Sequence, residues 1–173
     1  TRLVLHTGAR TGEAKLWPKQ HWHDLVTLLD KDDMLQMIVV GDAAEAGTAS
    51  ALLHNRDKRH LDLVGRTTIP QLASILKTSD LTISADSGPL HLSALMGRPT
   101  LGLYGPTNPH LSGPYGIRAH TIVTKLPCHP CYDLRAPAMC PFGDSLCMAW
   151  IQPLEVHQKI MVTVDREQTG KTL

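Results

Sequence analysis

Several things are missing from this sequence, and each absence removes a class of function. No run of about 18 apolar residues occurs, and Thr1-Arg2-Leu3-Val4-Leu5-His6 turns polar too soon for a signal peptide, so neither a spanning helix nor a leader is read here. The expectation is a cytoplasmic protein. Basic runs are absent and the formal charge is only +1, which argues against nucleic acid as a partner, because phosphate neutralisation needs clustered Lys and Arg. The Gly-x-Gly-x-x-Gly fingerprint is missing, which weakens an NAD or FAD reading. Gly170-Lys171-Thr172 resembles the end of a P-loop, but Asp165 stands where its first glycine belongs. No Gly-x-Ser-x-Gly elbow supports a serine hydrolase. Asp-x-Asp occurs once, as Asp30-Lys31-Asp32, and it and the adjacent Asp32-Asp33 pair sit at a helix end away from the strand-end loops, so no catalytic metal is expected. Aromatics make up 4% of residues, and none stands out as a stacking platform for a base.

What remains is an α/β pattern of one-domain size. At 173 residues and 19.0 kDa a three-layer core buries roughly 70% of the unfolded surface without disulfides or metal. Short β-rich runs recur at Leu3–Leu5, Met37–Val40, Leu61–Val64, Leu81–Ser84, Thr100–Tyr104 and Thr121–Val123. Helical patterns lie between them. Trp22, Leu25, Val26 and Leu29 make one helix face, with Pro18 in its first turn. Asp42 and Glu45 have capping-box spacing before a helix through Leu53, and Thr68 and Gln71 repeat it before Leu72, Ile75 and Leu76. Gly88-Pro89 opens a helix that stops at Gly97. Eight of the 12 prolines fall between Pro99 and Pro141, so that stretch is loop-rich, and a last helix is expected near Pro153 to Val164. Strand–helix alternation with short connections predicts a doubly wound, Rossmann-like parallel sheet. Ligands then belong in the loops after Leu5, Val40, Val64, Ser84 and Tyr104.

The strongest motif is Ser84-Ala85-Asp86-Ser87-Gly88-Pro89-Leu90-His91, where a strand ends and a helix begins. Free N–H groups there can cradle a diphosphate, with the Ser87 hydroxyl and Gly88 N–H nearest and His91 in the first turn. The bland alternative is that Asp86 or Ser87 merely caps the helix and His91 is a surface residue. The loop Thr7-Gly8-Ala9-Arg10-Thr11-Gly12-Glu13-Ala14-Lys15 lies at the same sheet edge, and Lys15 offers a flexible point charge for phosphate. Alone it also reads as a solvated loop. Glu45 either completes a box with Asp42 or accepts from a ribose diol. Gly105-Pro106-Thr107-Asn108-Pro109 reads as rigid bracing. His21 and His23 point to different helix sides and form no metal pair. Cys128, Cys131, Cys140 and Cys147 are spaced C-x2-C-x8-C-x6-C. Reduced thiols rank first there, a structural zinc second and disulfides third.

Together, Lys15-Leu16-Trp17-Pro18 after a Gly-rich loop, Ala85-Asp86-Ser87-Gly88-Pro89-Leu90-His91, Gly105-Pro106-Thr107-Asn108-Pro109 and the cysteine segment through Cys147-Met148 resemble the C-terminal, donor-binding half of family 9 glycosyltransferases, the ADP-heptose:lipopolysaccharide heptosyltransferases. The cysteine segment is most similar to the heptosyltransferase II branch. The likeness runs from Leu3 to about Val164. It implies one half of a GT-B fold: residues 1–165 as the nucleotide-sugar-binding domain, 166–173 as a tail, and an N-terminal acceptor domain that is absent. The opening without Met fits an excised piece. The implied donor contacts are Thr11 and Lys15 for phosphate, Glu45 for ribose, and Asp86, Ser87, Gly88 and His91 for heptose and diphosphate, with Lys15 and His91 stabilising the leaving group. The implied reaction is inverting transfer of heptose from ADP-heptose to the lipopolysaccharide inner core, without a required cofactor. Its general base is expected in the missing half, so this fragment alone is expected to be inactive, and peripheral inner-membrane association belongs to the whole enzyme. Two departures stand out: Ser87 replaces the commoner Thr, and the acidic residues before the lysine are reduced to Glu13 with Ala14. The competing readings are a stand-alone nucleotide-sugar-binding module and a GT-B-like nucleotide-sugar epimerase.

Overall fold

The structure, a computed structural model, describes residues 1–8, 13–132, 140, 142 and 145–169. Six strands form one parallel sheet in the order β3-β2-β1-β4-β5-β6: β1 (Arg2–His6), β2 (Gln36–Val40), β3 (Leu61–Asp62), β4 (Leu81–Ala85), β5 (Thr100–Tyr104) and β6 (Ala119–Val123). Between them lie α1 (Lys19–Leu29), α2 (Ala46–Leu53), α3 (Ile69–Lys77), α4 (Gly88–Leu95) and α5 (Pro109–Ser112); α6 (Leu146–Trp150) and α7 (Pro153–Thr169) follow. This is the Rossmann-like arrangement expected.

The two-residue period of the strands sorts the core into layers. Leu3, Leu5, Met37 and Val39 face one side, where they join Trp22, Leu25, Val26 and Leu29 of α1 and Val156 and Ile160 of α7. Val4, Ile38 and Val40 face the other side with Leu76, backed by Leu72, Ile75, Leu92 and Met96 of α3 and its neighbour α4. Helices therefore cover both faces, and β1, β4 and β5 are buried almost along their whole length, as in a doubly covered parallel sheet.

Local signals succeeded where the partner was also local. Thr68 and Gln71 form a complete capping box on α3, and Gly97 ends the α4 segment with φ +71°. Other expectations need correction. Pro18 is the N-cap residue of α1 rather than part of its first turn. β3 is shorter than expected because Asp62 accepts a hydrogen bond from Val64 N–H and turns the chain. No box joins Asp42 to Glu45: Asp42 accepts from Ala44 N–H instead, and α2 begins at Ala46 without a side-chain cap. Nor does a tail begin at Arg166, since α7 continues to Thr169 and Glu167 pairs with Arg118 at 2.9 Å.

Strand order reverses between β1 and β4, which pair directly, with His6 opposite Ser84. A crevice beyond the carboxyl ends of these two strands is the expected ligand position in such a sheet.

Candidate functional site

That crevice is built from the ends of β1, β2 and β4. Lys15 is carried in by a single 3-10 turn, Glu13–Lys15. Two residues later Trp17 is buried edge-on against Trp22, and its indole N–H donates to the Ile151 carbonyl at 3.0 Å. Anchoring so close along the chain fixes where Lys15 goes. Its ammonium is buried, 3.4 Å from Asp86 Oδ2 and 4.5 Å from the centre of the Tyr132 ring. Lys15 is therefore a held cation and not the flexible, solvated charge that its loop composition suggested.

Asp86 ends the β4 segment with its carboxylate buried between two partners. Oδ2 faces Lys15, and Oδ1 lies 2.9 Å from His91 Nε2. Burial favours the neutral acid, but the His91 hydrogen bond and the Lys15 charge outweigh it and hold the carboxyl below its usual range. Neither Asp86 nor Ser87 caps α4: Ser87 is the N-cap residue, yet its side chain makes no capping bond. Its hydroxyl lies instead 2.7 Å from Ser84 Oγ. A side chain built on Gly88 would meet nothing within 4 Å, so the first turn of α4 opens into free space. The capping alternative for this motif is thus not what the fold adopts.

Glu45 occupies the β2 side of the crevice. Its carboxylate packs onto glycine backbone: a Cβ on Gly8 would lie 1.5 Å from Oε1, and one on Gly41 2.0 Å from Oε2. Only residues without side chains leave that seat open. Burial, reinforced by the negative charge of Asp42, pushes the Glu45 carboxyl up to about 7. Its Oε2 is buried without a hydrogen-bond partner among the described residues and lies 3.8 Å from His6 Nε2. Burial also lowers His6 to about 4, opposed by Asp42.

The crevice therefore gathers Lys15, Glu45, Asp86, Ser87, Gly88 and His91 from separate parts of the chain. Thr11 lies outside the described residues. Three contributors had no role assigned from the sequence: Ser84 opened the strongest motif, His6 followed the Leu3–Leu5 strand run, and Tyr132 looked like loop. Tyr132 reaches Lys15 because Cys131 N–H and Tyr132 N–H both donate to the Pro106 carbonyl at 3.0 Å, while His129 Nδ1 lies 2.6 Å from the Gly105 carbonyl. The Gly-Pro loop after β5 thus braces the segment that covers the cation. Cys128, Cys131, Cys140 and Cys147 carry free thiols, and burial raises Cys147 to about 11. Among the described residues, no group of three or more His, Cys, Asp or Glu is placed to hold a metal ion.

Over residues 2–140 the chain matches glycosyltransferase family 9 (heptosyltransferase). The chain belongs to this family. It is 32% identical to lipopolysaccharide heptosyltransferase 1 of Salmonella typhimurium over 66% of its own length and 35% of the relative's. It is 31% identical to lipopolysaccharide heptosyltransferase 2 of Escherichia coli strain K12, over 66% of its length and 34% of the relative's. The family 9 chain thus lies equally near both types by sequence. Its fold aligns with that of the E. coli ADP-heptose lipopolysaccharide heptosyltransferase II at a TM-score of 0.79 and 23% identity, covering 96% of this chain and 47% of that one. The chain spans less than half the length of these relatives, and its single doubly wound sheet corresponds to one half of the GT-B architecture. No helix among the described residues is long and apolar enough to cross a membrane.

Proposed function

We propose that this chain is the donor-binding half of an inverting heptosyltransferase that moves heptose from ADP-heptose to the lipopolysaccharide inner core. The observation that carries the proposal is the crevice at the β1/β4 reversal, where a buried ammonium, an uncapped helix start and two differently tuned carboxylates meet in a family 9 chain. Heptosyltransferase is the name its relatives carry, and ADP-heptose is the donor named for the E. coli structure that shares its fold.

In the proposed reaction an acceptor hydroxyl attacks the anomeric carbon from the face opposite the diphosphate. The carbon–oxygen bond to the β-phosphate breaks, its electron pair stays on the phosphate, and ADP leaves. Negative charge grows on that phosphate, so preorganised positive potential there accelerates the step. Lys15 and the first turn of α4 supply it, with Ser87 and Gly88 nearest. His91, held by Asp86, is placed to donate to the leaving oxygen or a neighbouring phosphate. Glu45 takes the ribose diol, with Thr11 assigned to phosphate through the family pattern. The base that removes the acceptor proton lies in the other half of the enzyme, which faces this crevice and places the acceptor. The acceptor's lipid points to the cytoplasmic face of the inner membrane as the working location.

Two measurements test this reading. Calorimetric titration with ADP, UDP and GDP is expected to show preference for ADP, and a clear UDP preference would move the chain to another transferase activity. In the intact enzyme, Lys15→Met is expected to lower turnover by roughly 2–4 kcal/mol in barrier terms, the scale of losing one preorganised charge-stabilising donor. Unchanged donor affinity and turnover would remove Lys15 from the site.

A further inference from the structure

The two ends of the crevice are joined by a line of polar atoms whose middle members, Ser84 and His6, the donor-site reading does not use. Ser87 Oγ, at the start of α4, lies 2.7 Å from Ser84 Oγ. Ser84 Oγ lies 2.9 Å from His6 Nδ1 across the β1/β4 pair, and both residues are buried. The opposite ring nitrogen, Nε2, faces Glu45 Oε2 at 3.8 Å, about one ångström beyond hydrogen-bond length. Each hydroxyl has one proton to give, and a neutral imidazole has one N–H. The line can therefore run in only two directions.

In the inward direction, the imidazole N–H sits on Nε2 and faces an ionised Glu45. Ser84 then donates to Nδ1, Ser87 donates to Ser84, and Ser87 presents only lone pairs to the crevice. In the outward direction, Glu45 carries a proton on Oε2 and directs it at Nε2. Nδ1–H then donates to Ser84, Ser84 donates to Ser87, and the Ser87 O–H is free to donate into the crevice. The outward arrangement holds one proton more than the inward one. A phosphate oxygen is an acceptor, so only the outward arrangement suits it.

Resting on the donor-site reading above, we infer that His6 is a positioning residue that couples the two ends of the site: binding of a nucleoside diphosphate takes up one proton at the Glu45–His6 pair, and the Ser84–Ser87 hydroxyls turn outward to meet the phosphate. The proton comes from solvent, and no covalent bond changes besides the O–H that forms on Glu45. The titration behaviour of the pair agrees with this. Burial and Asp42 raise Glu45 to about 7, while burial lowers His6 to about 4 against the pull of Asp42. At neutral pH the imidazole is therefore uncharged and the exchangeable proton belongs to Glu45. Asp42, from the turn after β2, is the charged group acting on both; Lys15, Asp86 and His91 form a separate set beyond Ser87. Glu45 Oε1 remains available to accept from a ribose hydroxyl while Oε2 holds the proton.

The test is calorimetric titration of the chain with ADP in two buffers of different ionisation enthalpy, at pH 6 and pH 8. The terminal phosphate of ADP titrates in the same range, so the quantity read is the difference in proton uptake between wild type and variant. Wild type is expected to take up close to one proton more per ADP at pH 8 than Ser84→Ala, with the difference shrinking toward zero at pH 6. Its affinity should also weaken by up to tenfold per pH unit above pH 7 relative to that variant. Ser84→Ala breaks the line while leaving Glu45 and His6 in place. His6→Asn, whose amide N–H keeps a permanent donor toward Ser84, is expected to lose the extra uptake and to show the same pH dependence of affinity as Ser84→Ala. Uptake in Ser84→Ala equal to wild type would overturn the inference, because the linkage would then be through-space charge and not the relay. Failure of wild type to bind ADP would overturn the donor-site reading and this inference with it.

Discussion

Replacing Asp86 by Asn keeps the shape of the side chain but withdraws the charge that faces Lys15. At 3.4 Å and an effective dielectric constant of about 20, the attraction between the two groups is about 5 kcal/mol. In the variant that attraction is gone while the ammonium remains desolvated, and breaking a buried pair on one side costs about 3–5 kcal/mol. The Tyr132 contact is present with or without the Asp86 charge and offsets none of this, so a net loss of about 3–5 kcal/mol is expected in urea unfolding at pH 7. Lys15→Met alone leaves Asp86 with His91 and should cost less, about 1–3 kcal/mol. The double variant Lys15→Met/Asp86→Asn removes both charges together, and its cost is expected to fall at least 1–2 kcal/mol short of the sum of the singles. A pH series adds a second reading. The folded state holds the Asp86 carboxyl below its usual range, so its contribution is present above the unfolded pKa of about 3.9 and disappears as pH falls through the folded value. Asp86→Asn should therefore flatten the acid limb of the stability curve below about pH 4. Additivity of the two singles within about 0.5 kcal/mol would refute the claim that Asp86 holds this cation.

Gly8→Ala is expected to displace the Glu45 carboxylate and leave the fold intact, because the new Cβ meets the tip of a movable side chain 1.5 Å away. Unfolding free energy should change by less than about 1 kcal/mol, while ADP affinity measured by calorimetry falls about five- to tenfold, the scale of one lost hydrogen bond. Full retention of affinity would detach Glu45 from the nucleotide. On the outer helix α3, beside α4, Thr68→Ala removes the capping box and is expected to cost about 1 kcal/mol by thermal or urea unfolding with donor binding unaffected. A change in donor affinity would show that α3 is coupled to the crevice.

The legibility of this chain follows the range of its interactions. The strands were readable because Leu3-Val4-Leu5 and Met37-Ile38-Val39-Val40 are short continuous β-rich runs, a composition that needs no knowledge of partners. Trp22, Leu25, Val26 and Leu29 similarly declared the buried face of α1. The same local reasoning gave one right and one wrong box. Thr68 and Gln71 find each other because nothing else competes, whereas Glu45 is drawn away by the bare backbone of Gly8 and Gly41. His6 was not singled out because its partner Ser84 is 78 residues on. Tyr132 is held near Lys15 with the help of its backbone bond to Pro106, an arrangement no spacing rule encodes. The motif around Ser87 was legible in position but not in wiring: its hydroxyl turns back to Ser84 and leaves the helix start uncapped.

That wiring bears on how a crevice holding two carboxylates could admit a diphosphate. Asp86 is ionised, but its charge is spent on Lys15 and on His91. Glu45 is the other obstacle, and burial brings it close to neutrality around pH 7. The ammonium-to-carboxylate distance of 3.4 Å exceeds the 2.7–2.9 Å of a strong charge-assisted hydrogen bond, so Asp86 positions Lys15 without fully satisfying it. An arriving phosphate oxygen thus meets a cation with donor capacity left, next to a helix start whose N–H groups no side chain has taken. The carboxylates need not be excluded from such a site. One positions the cation, and burial lets the other take up a proton near pH 7.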